Sequence, residues 1–113
     1  MKNSSPGIVS ILIMIAAAAL EVGGDALCRR GLRSHAPGIL ALGFVVVGGY
    51  GIAVNLVNMD FSRLLGAYVG IFACLSVLTG RFFFGERVAI ATWVGLGVVL
   101  AGSLIIQFGD RAP

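Results

Sequence analysis

The chain is short, apolar and poor in charge. It has 113 residues, of which 58% are hydrophobic and 12% are charged, with eight basic residues, five acidic residues and a net charge of +3. Its mean hydropathy is +1.03. Because a soluble domain carries about 25% charged residues, this composition argues against a soluble protein and predicts an all-α integral membrane protein.

Charged residues divide the chain into four apolar segments. These segments cover residues 8–27, 38–57, 64–79 and 88–108. A helix needs about 17–25 apolar residues to cross ~30 Å of hydrocarbon, and the third segment is at the short limit. Little sequence remains for a soluble domain, so we predict a single four-helix transmembrane domain over residues 1–113.

The first segment has an alternative interpretation as a cleaved signal peptide. Lys2 would be its basic region, Ile8 to Leu20 its apolar core and the alanines at 16–19 its processing site. The apolar register continues past the alanines to Leu27, and three further spans follow. This continuity favours a retained transmembrane helix.

Basic residues are distributed unevenly between the two sides that four spans would create. One side, with both termini and the second connector, has three: Lys2, Arg63 and Arg111. The other side has five: Arg29, Arg30, Arg33, Arg81 and Arg87. Five against three favours termini outside the cytoplasm, but the difference is small enough to allow insertion in both orientations.

Two acidic residues lie inside or close to the first apolar segment. Glu21 and Asp25 are four positions apart, so a helix would present both carboxylates on one face. An ionisable group at membrane depth costs on the order of 3 kcal/mol unless it is paired or hydrated. We therefore predict a proton or cation site, with Glu21 as the main residue. The alternative for Asp25 is an ordinary salt bridge to Arg29 on the next turn.

Seventeen glycines fall largely within the apolar segments. Gly66 and Gly70 lie on the third helix, and Gly95, Gly97 and Gly102 lie on the fourth. Glycines at helical spacing let a second backbone approach closely, either within one bundle or between two subunits. Four short helices hardly enclose a solute pathway alone, so we expect a dimer.

Several of these motifs together resemble a known family. The segment Ala19-Leu20-Glu21-Val22-Gly23-Gly24, the third connector at 83–87 and the glycine-spaced fourth helix at 95–106 are similar to the small multidrug resistance transporters of the drug/metabolite transporter superfamily. The third helix, with Ala67-Tyr68-Val69-Gly70, is similar to the YnfA-like proteins. The resemblance covers nearly the whole chain.

The resemblance implies an antiparallel dimer of four-helix subunits in a bacterial inner membrane. Glu21 would bind protons and a cationic substrate in alternation, and Tyr68 would stand near the family's third-helix tryptophan, where a ring face holds a cation. Tyr50 is a second candidate for lining the cavity; the alternative for both tyrosines is simple packing. Arg63 either pairs with Asp60 at the surface or reaches an acid in the cavity.

Three functional hypotheses follow. The first is proton-coupled efflux of small cations by alternating access in a homodimer. The alternatives are a small dual-topology channel, and an accessory subunit of a hetero-oligomeric or lipid-carrier transporter. The sequence offers no nucleophile with a base, no phosphate-binding loop and no metal-ligand spacing around its one histidine and two cysteines. We therefore expect no enzyme, no cofactor, no metal and no nucleic-acid partner.

Overall fold

The chain folds into helices joined by short connectors. A computed structural model describes residues 7–109. Its helices are α1 (Ile8–Arg33), α2 (Pro37–Val54), α3 (Phe61–Phe82) and α4 (Ile90–Phe108). All four are long and apolar enough to span a membrane, and residues 7–109 contain no strand. The prediction of an all-α fold with four spans is confirmed; Lys2 and Arg111 of the charge count lie outside the described residues.

The helices extend beyond the predicted apolar segments where polar residues continue the helical backbone. α1 runs to Arg33 rather than to residue 27, since Arg30 and Arg33 in its last turn interact favourably with the carbonyl end of the helix. α3 covers Phe61–Phe82 rather than 64–79. Apolar patterning alone therefore underestimated both helices, because it marks the part of a helix in lipid and not its ends.

α2 and α4 are shorter than the predicted segments. α2 ends at Val54 instead of residue 57, and the side-chain amide of Asn55 donates to the carbonyl of Gly51 at 2.7 Å. That bond satisfies one of the carbonyls left free at the end of the helix. α4 begins at Ile90 instead of residue 88.

Glycines bring the backbones of α1 and α2 into contact. A Cβ atom at Gly24 would lie 2.9 Å from the backbone nitrogen of Val47, and one at Gly31 would lie 2.6 Å from that of Leu40. From the α2 side, a Cβ atom at Gly43 would lie 2.9 Å from the backbone nitrogen of Cys28. No larger residue fits these positions without separating the helices, so α1 and α2 form a tight hairpin.

The remaining helices pack in the order α2, α1, α3, α4. α3 packs on α1, and α4 packs on α3, whereas the Cα atoms of α4 stay more than 8 Å from those of α1 and α2 in the described helices. A buried cluster joins α1, α3 and the end of α2. Its members are Met14, Ala17, Ala18, Val54, Val57, Leu64 and Tyr68. α1 is therefore the central helix, with α2 on one side and α3 on the other.

Most of the outer surface is apolar. Phe44 and Val45 on α2, and Val98 and Ile105 on α4, are 66–72% exposed. In the most apolar 18-residue stretch of α2, and likewise in that of α4, only 11% of the residues are buried within the chain. Exposed side chains of this kind suit contact with lipid or with another membrane helix.

Candidate functional site

Glu21 meets α3 at the middle of α1. Its Oε1 atom accepts a hydrogen bond of 2.8 Å from the hydroxyl of Tyr68. Tyr68 is 4% exposed, and Glu21 is half-buried. The sequence analysis named Glu21 and Tyr68 as two residues of one cavity but predicted no contact between them. In the structure they are hydrogen-bonded.

Small residues on α1 allow this contact. Ala17 and Ala18, one turn before Glu21, are completely buried, so α3 can approach α1 closely at that level. Met14 and Leu64 fill the space on the N-terminal side and are also buried. The carboxylate is consequently held beside packed apolar side chains rather than at a helix end.

Three aromatic rings stack beside the carboxylate. The ring of Tyr50 on α2 lies 5.5 Å from that of Tyr68, with 27° between the planes. The third ring, that of Phe72, lies 6.3 Å from Tyr68 at the same interplanar angle. The sequence analysis missed Phe72, although its position four residues after Tyr68 puts it on the same face of α3. Offset ring faces next to an acid are the groups that attract an organic cation.

Asp25 lies one turn beyond Glu21 in a different setting. It is exposed and lines a cavity of about 180 Å³ with Arg29, Ser76, Thr79 and Glu86, among others. No ion pair within 4.0 Å joins Asp25 to Arg29 among the interactions of residues 7–109. The two side chains share a cavity, but the predicted alternative of a helix salt bridge is not formed.

Glu86 also reaches this cavity and was not singled out from the sequence. Its backbone N–H donates to the carbonyl of Gly80 at 3.0 Å, which folds the third connector back onto the end of α3. The Glu86 carboxylate then occupies the space that a side chain at position 80 would need. Gly80 therefore admits Glu86 to the cavity that Asp25 lines.

Arg63 contacts α4 and not Glu21. Its Nε atom donates to the carbonyl of Ile106 at 3.4 Å, and its Nη2 atom donates to the carbonyl of Gln107. These carbonyls belong to the last turn of α4, where the carbonyl groups have no partner within the helix itself. The structure thus places Arg63 at the junction of α3 and α4 and does not bring it to the carboxylate of Glu21.

The five glycines of the dimer prediction fall into two groups. Gly66 and Gly70 face α4 of the same chain: Cβ atoms there would lie 2.7 Å from Ile106 Cδ1 and 2.6 Å from Ser103 Oγ. At Gly95, Gly97 and Gly102 a Cβ atom would meet nothing within 4 Å. The first pair therefore serves packing within the chain, and for the other three the dimer role stays a prediction.

The described residues offer no site for a metal ion. Within residues 7–109, no three His, Cys, Asp or Glu side chains lie close enough together to hold one. Cys28 and Cys74 are free thiols.

Comparison with known proteins places the chain in a family of membrane proteins. A profile described as "Uncharacterised BCR, YnfA/UPF0060 family" matches residues 8–112. The chain is 40% identical over 106 residues to a UPF0060 membrane protein of Mycobacterium marinum, covering 91% of this chain and 96% of that protein.

Two further relatives are also named UPF0060 membrane proteins. One, from Mycolicibacterium gilvum, is 33% identical, with 90% of this chain and 96% of the relative covered. The other, from Streptomyces avermitilis, is 32% identical, with 90% and 93% covered. No solved structure matches. The chain has four apolar helices long enough to span a membrane, and its relatives are named membrane proteins. It is therefore a multi-pass membrane protein that belongs to the YnfA/UPF0060 family.

Proposed function

We propose that this chain is a subunit of a proton-coupled exporter of small cations, working by alternating access as a dimer in a bacterial inner membrane. The observation that supports this most directly is the hydrogen bond from Tyr68 to Glu21 beside the stacked rings of Tyr50 and Phe72. The motifs similar to small multidrug resistance transporters add support, since Glu21 lies where that family has its coupling glutamate.

Glu21 can hold either a proton or a cation, but not both. A protonated carboxyl is neutral and needs no counter-ion in a medium of low dielectric. An ionised carboxylate keeps the charge-assisted bond from the Tyr68 hydroxyl and attracts a cation, which the ring faces hold further. Binding of one ligand therefore expels the other, and this competition couples the two fluxes.

Alternating access requires one part of the bundle to move against another. The α1–α2 hairpin is held by backbone contacts at Gly24, Gly31 and Gly43, whereas α3 meets α1 through side chains such as Tyr68. α3 with α4 is thus the element that moves, and Tyr68 moves with it. Each state offers Glu21 to a different side of the membrane.

A second subunit would complete the enclosure. Gly95 and Gly102, seven positions apart, leave an open, narrow surface on one face of α4, and Gly97 is open on another face. Small residues of this kind let transmembrane helices associate. The weak charge bias between the two sides of the chain is compatible with an antiparallel pair. In such a dimer two Glu21 carboxylates would face one cavity.

The test is proton release from purified protein in liposomes. A panel of quaternary ammonium and guanidinium compounds is added to wild type, to Glu21→Gln and to the control Asp60→Asn, which removes an exposed carboxylate at the start of α3. We expect saturable, substrate-dependent pH change in wild type and in the control, and none in Glu21→Gln.

Two results would contradict the proposal. Cation flux that survives unchanged in Glu21→Gln would indicate a channel or an uncoupled path. No response from wild type with any compound would rule out a stand-alone exporter and favour a role that requires a second protein, to be sought by coexpression.

A further inference from the structure

The hydroxyl of Ser103 on α4 contacts three backbone groups of α3. It is within donating distance of two carbonyl oxygens, that of Ala67 at 2.6 Å and that of Gly66 at 3.1 Å. It also accepts a hydrogen bond from the N–H of Gly70 at 3.2 Å. Ser103 is 8% exposed. Because a hydroxyl has one proton, it can donate fully to only one of the two carbonyls at a time.

Two of these backbone groups are partners in the helix itself. In an α-helix the N–H of residue 70 points to the carbonyl of residue 66, so the hydroxyl bonds both members of one backbone pair. A side chain that inserts at such a pair is a recognised cause of helix bending. Glycine at 70 is required here, since a Cβ atom would lie 2.6 Å from Ser103 Oγ.

Tyr68 lies midway between the two glycines. Two positions along a helix correspond to about 200°, so residues 66 and 70 lie on the side of α3 nearly opposite to Tyr68. The structure agrees, since Gly66 and Gly70 face α4 and Tyr68 faces α1. A change of bend at residues 66–70 therefore moves the Tyr68 hydroxyl toward or away from Glu21.

α4 is also fixed to α3 one turn closer to its own C-terminus. Arg63 donates there to the carbonyls of Ile106 and Gln107. Two polar contacts therefore fix α4 relative to the backbone of α3: the one at Ser103 and the one at Arg63. α4 can consequently transmit a local change at Ser103 to the bend of α3.

We propose that Ser103 is a positioning residue for the Glu21–Tyr68 site. Its hydroxyl holds the backbone of α3 at residues 66–70 and, by moving between the carbonyls of Gly66 and Ala67, lets that backbone bend as Tyr68 leaves and rejoins Glu21. The role in exchange rests on the proposed function, whereas the effect of Ser103 on Tyr68 does not.

The effect on Tyr68 can be measured without any transport. The chain contains only two tyrosines, so full-length protein labelled with 3-fluorotyrosine gives two ¹⁹F resonances, assigned with Tyr50→Phe. We expect Glu21→Gln and Ser103→Ala to shift the Tyr68 resonance, and the exposed control Ser62→Ala to leave it unchanged. Ser103→Ala with both resonances at their wild-type positions would overturn the proposal.

A double-mutant cycle tests whether Ser103 acts through Tyr68. The substrate concentration for half-maximal proton release is measured for wild type, Ser103→Ala, Tyr68→Phe and the double variant. We expect Ser103→Ala to raise it on the order of fivefold, as for the loss of one hydrogen bond, and to add nothing in the Tyr68→Phe background.

The two experiments separate failure of this inference from failure of the proposed function. Independent, multiplying effects in the double variant would show that Ser103 acts elsewhere, for example on stability alone, and would overturn the inference. If wild type releases no protons with any substrate, the exporter proposal fails, and the ¹⁹F spectra still decide whether Ser103 positions Tyr68.

Discussion

The hydroxyl of Tyr68 and the carboxylate of Glu21, 47 residues apart in sequence, form a hydrogen bond of 2.8 Å between α3 and α1. Among residues 7–109 it is the hydrogen bond that links these two helices at the level of the buried cluster, where the surrounding contacts are made by apolar side chains. In the proposed mechanism, a ligand that takes the carboxylate from Tyr68 would therefore also loosen the attachment of α3 to α1. Ligand binding and helix movement are thus two aspects of one contact.

Replacing Tyr68 by Phe tests the hydroxyl separately from the ring. The ring stacking with Tyr50 and Phe72 remains, but the carboxylate loses its donor. A hydrogen bond to a charged group contributes about 1.5–3 kcal/mol, so we expect weaker cation binding by at least tenfold in calorimetric titration of the purified protein. Tyr68→Leu, which also removes the ring, should bind more weakly still. Equal affinity of Tyr68→Phe and wild type would show that the hydroxyl plays no part in binding.

Replacing Asp25 by Asn should have a small, salt-dependent effect. Asp25 is exposed at the cavity that it shares with Arg29, and charges in contact with water are screened within ~10 Å at 0.1 M ionic strength. We expect the substrate concentration for half-maximal proton release to rise about two- to threefold at low salt, with the difference disappearing at high salt. Complete loss of proton release would instead make Asp25 equal in role to Glu21.

Replacing Gly24 by Ala should destabilise the α1–α2 hairpin. The added methyl group would lie 2.5 Å from Val47 Cγ2 and 2.9 Å from the backbone of that residue. Overpacking of this kind costs about 1–3 kcal/mol, measurable as the free energy of unfolding in a detergent titration. The matched control is Gly23→Ala, where a Cβ atom meets nothing within 4 Å. Equal stability of the two variants would contradict the tight contact.

Replacing Gly97 by Leu should weaken the proposed dimer without unfolding the subunit. A side chain at Gly97 meets no atom of its own chain within 4 Å, so any loss must come from a neighbouring molecule. We expect a larger monomer fraction in detergent by analytical ultracentrifugation, with unchanged helical circular dichroism. Val98→Leu, at a position 68% exposed, is the control. An unchanged monomer fraction would show that this surface faces lipid.

The four spans could be predicted because each is a long apolar stretch between charges, a signal that does not depend on tertiary contacts. Glu21 could be singled out for a similar reason, because an ionisable residue inside an apolar segment is visible in the sequence and is costly in free energy at membrane depth. Its hydrogen bond to Tyr68 was beyond sequence reasoning, because the pair depends on how α3 rotates about its axis when it packs on α1. Arg63 illustrates the same difficulty, since it donates to backbone carbonyls of α4.

Glycines were recognised as packing positions, but their partners were not. For Gly66 and Gly70 the sequence left packing within one bundle and a dimer contact open, and both residues meet α4 of their own chain. No packing partner was predicted for Gly24 and Gly43, which bring α1 and α2 together. A glycine in an apolar helix indicates that another part of the protein packs closely there. Only the fold shows which helix it is. The hydrogen bonds of Ser103 were not predicted for the same reason, because the sequence around a serine in an apolar helix does not indicate which backbone groups its hydroxyl contacts.

The glycine contacts between α1 and α2 also restrict the route that a solute can take. Backbone contacts at Gly24, Gly31 and Gly43 hold α1 against α2, and the Cδ1 atom of Leu20 lies 3.7 Å from the Cβ position of Gly49, so the two helices are in contact along this stretch. In the proposed exporter, a cation leaving Glu21 toward that end of the bundle would therefore pass along α3 toward the cavity that Asp25 and Glu86 line. The side chains of α3 would then set the size limit for a substrate of the proposed exporter, and variation there would alter what is carried without disturbing the hairpin.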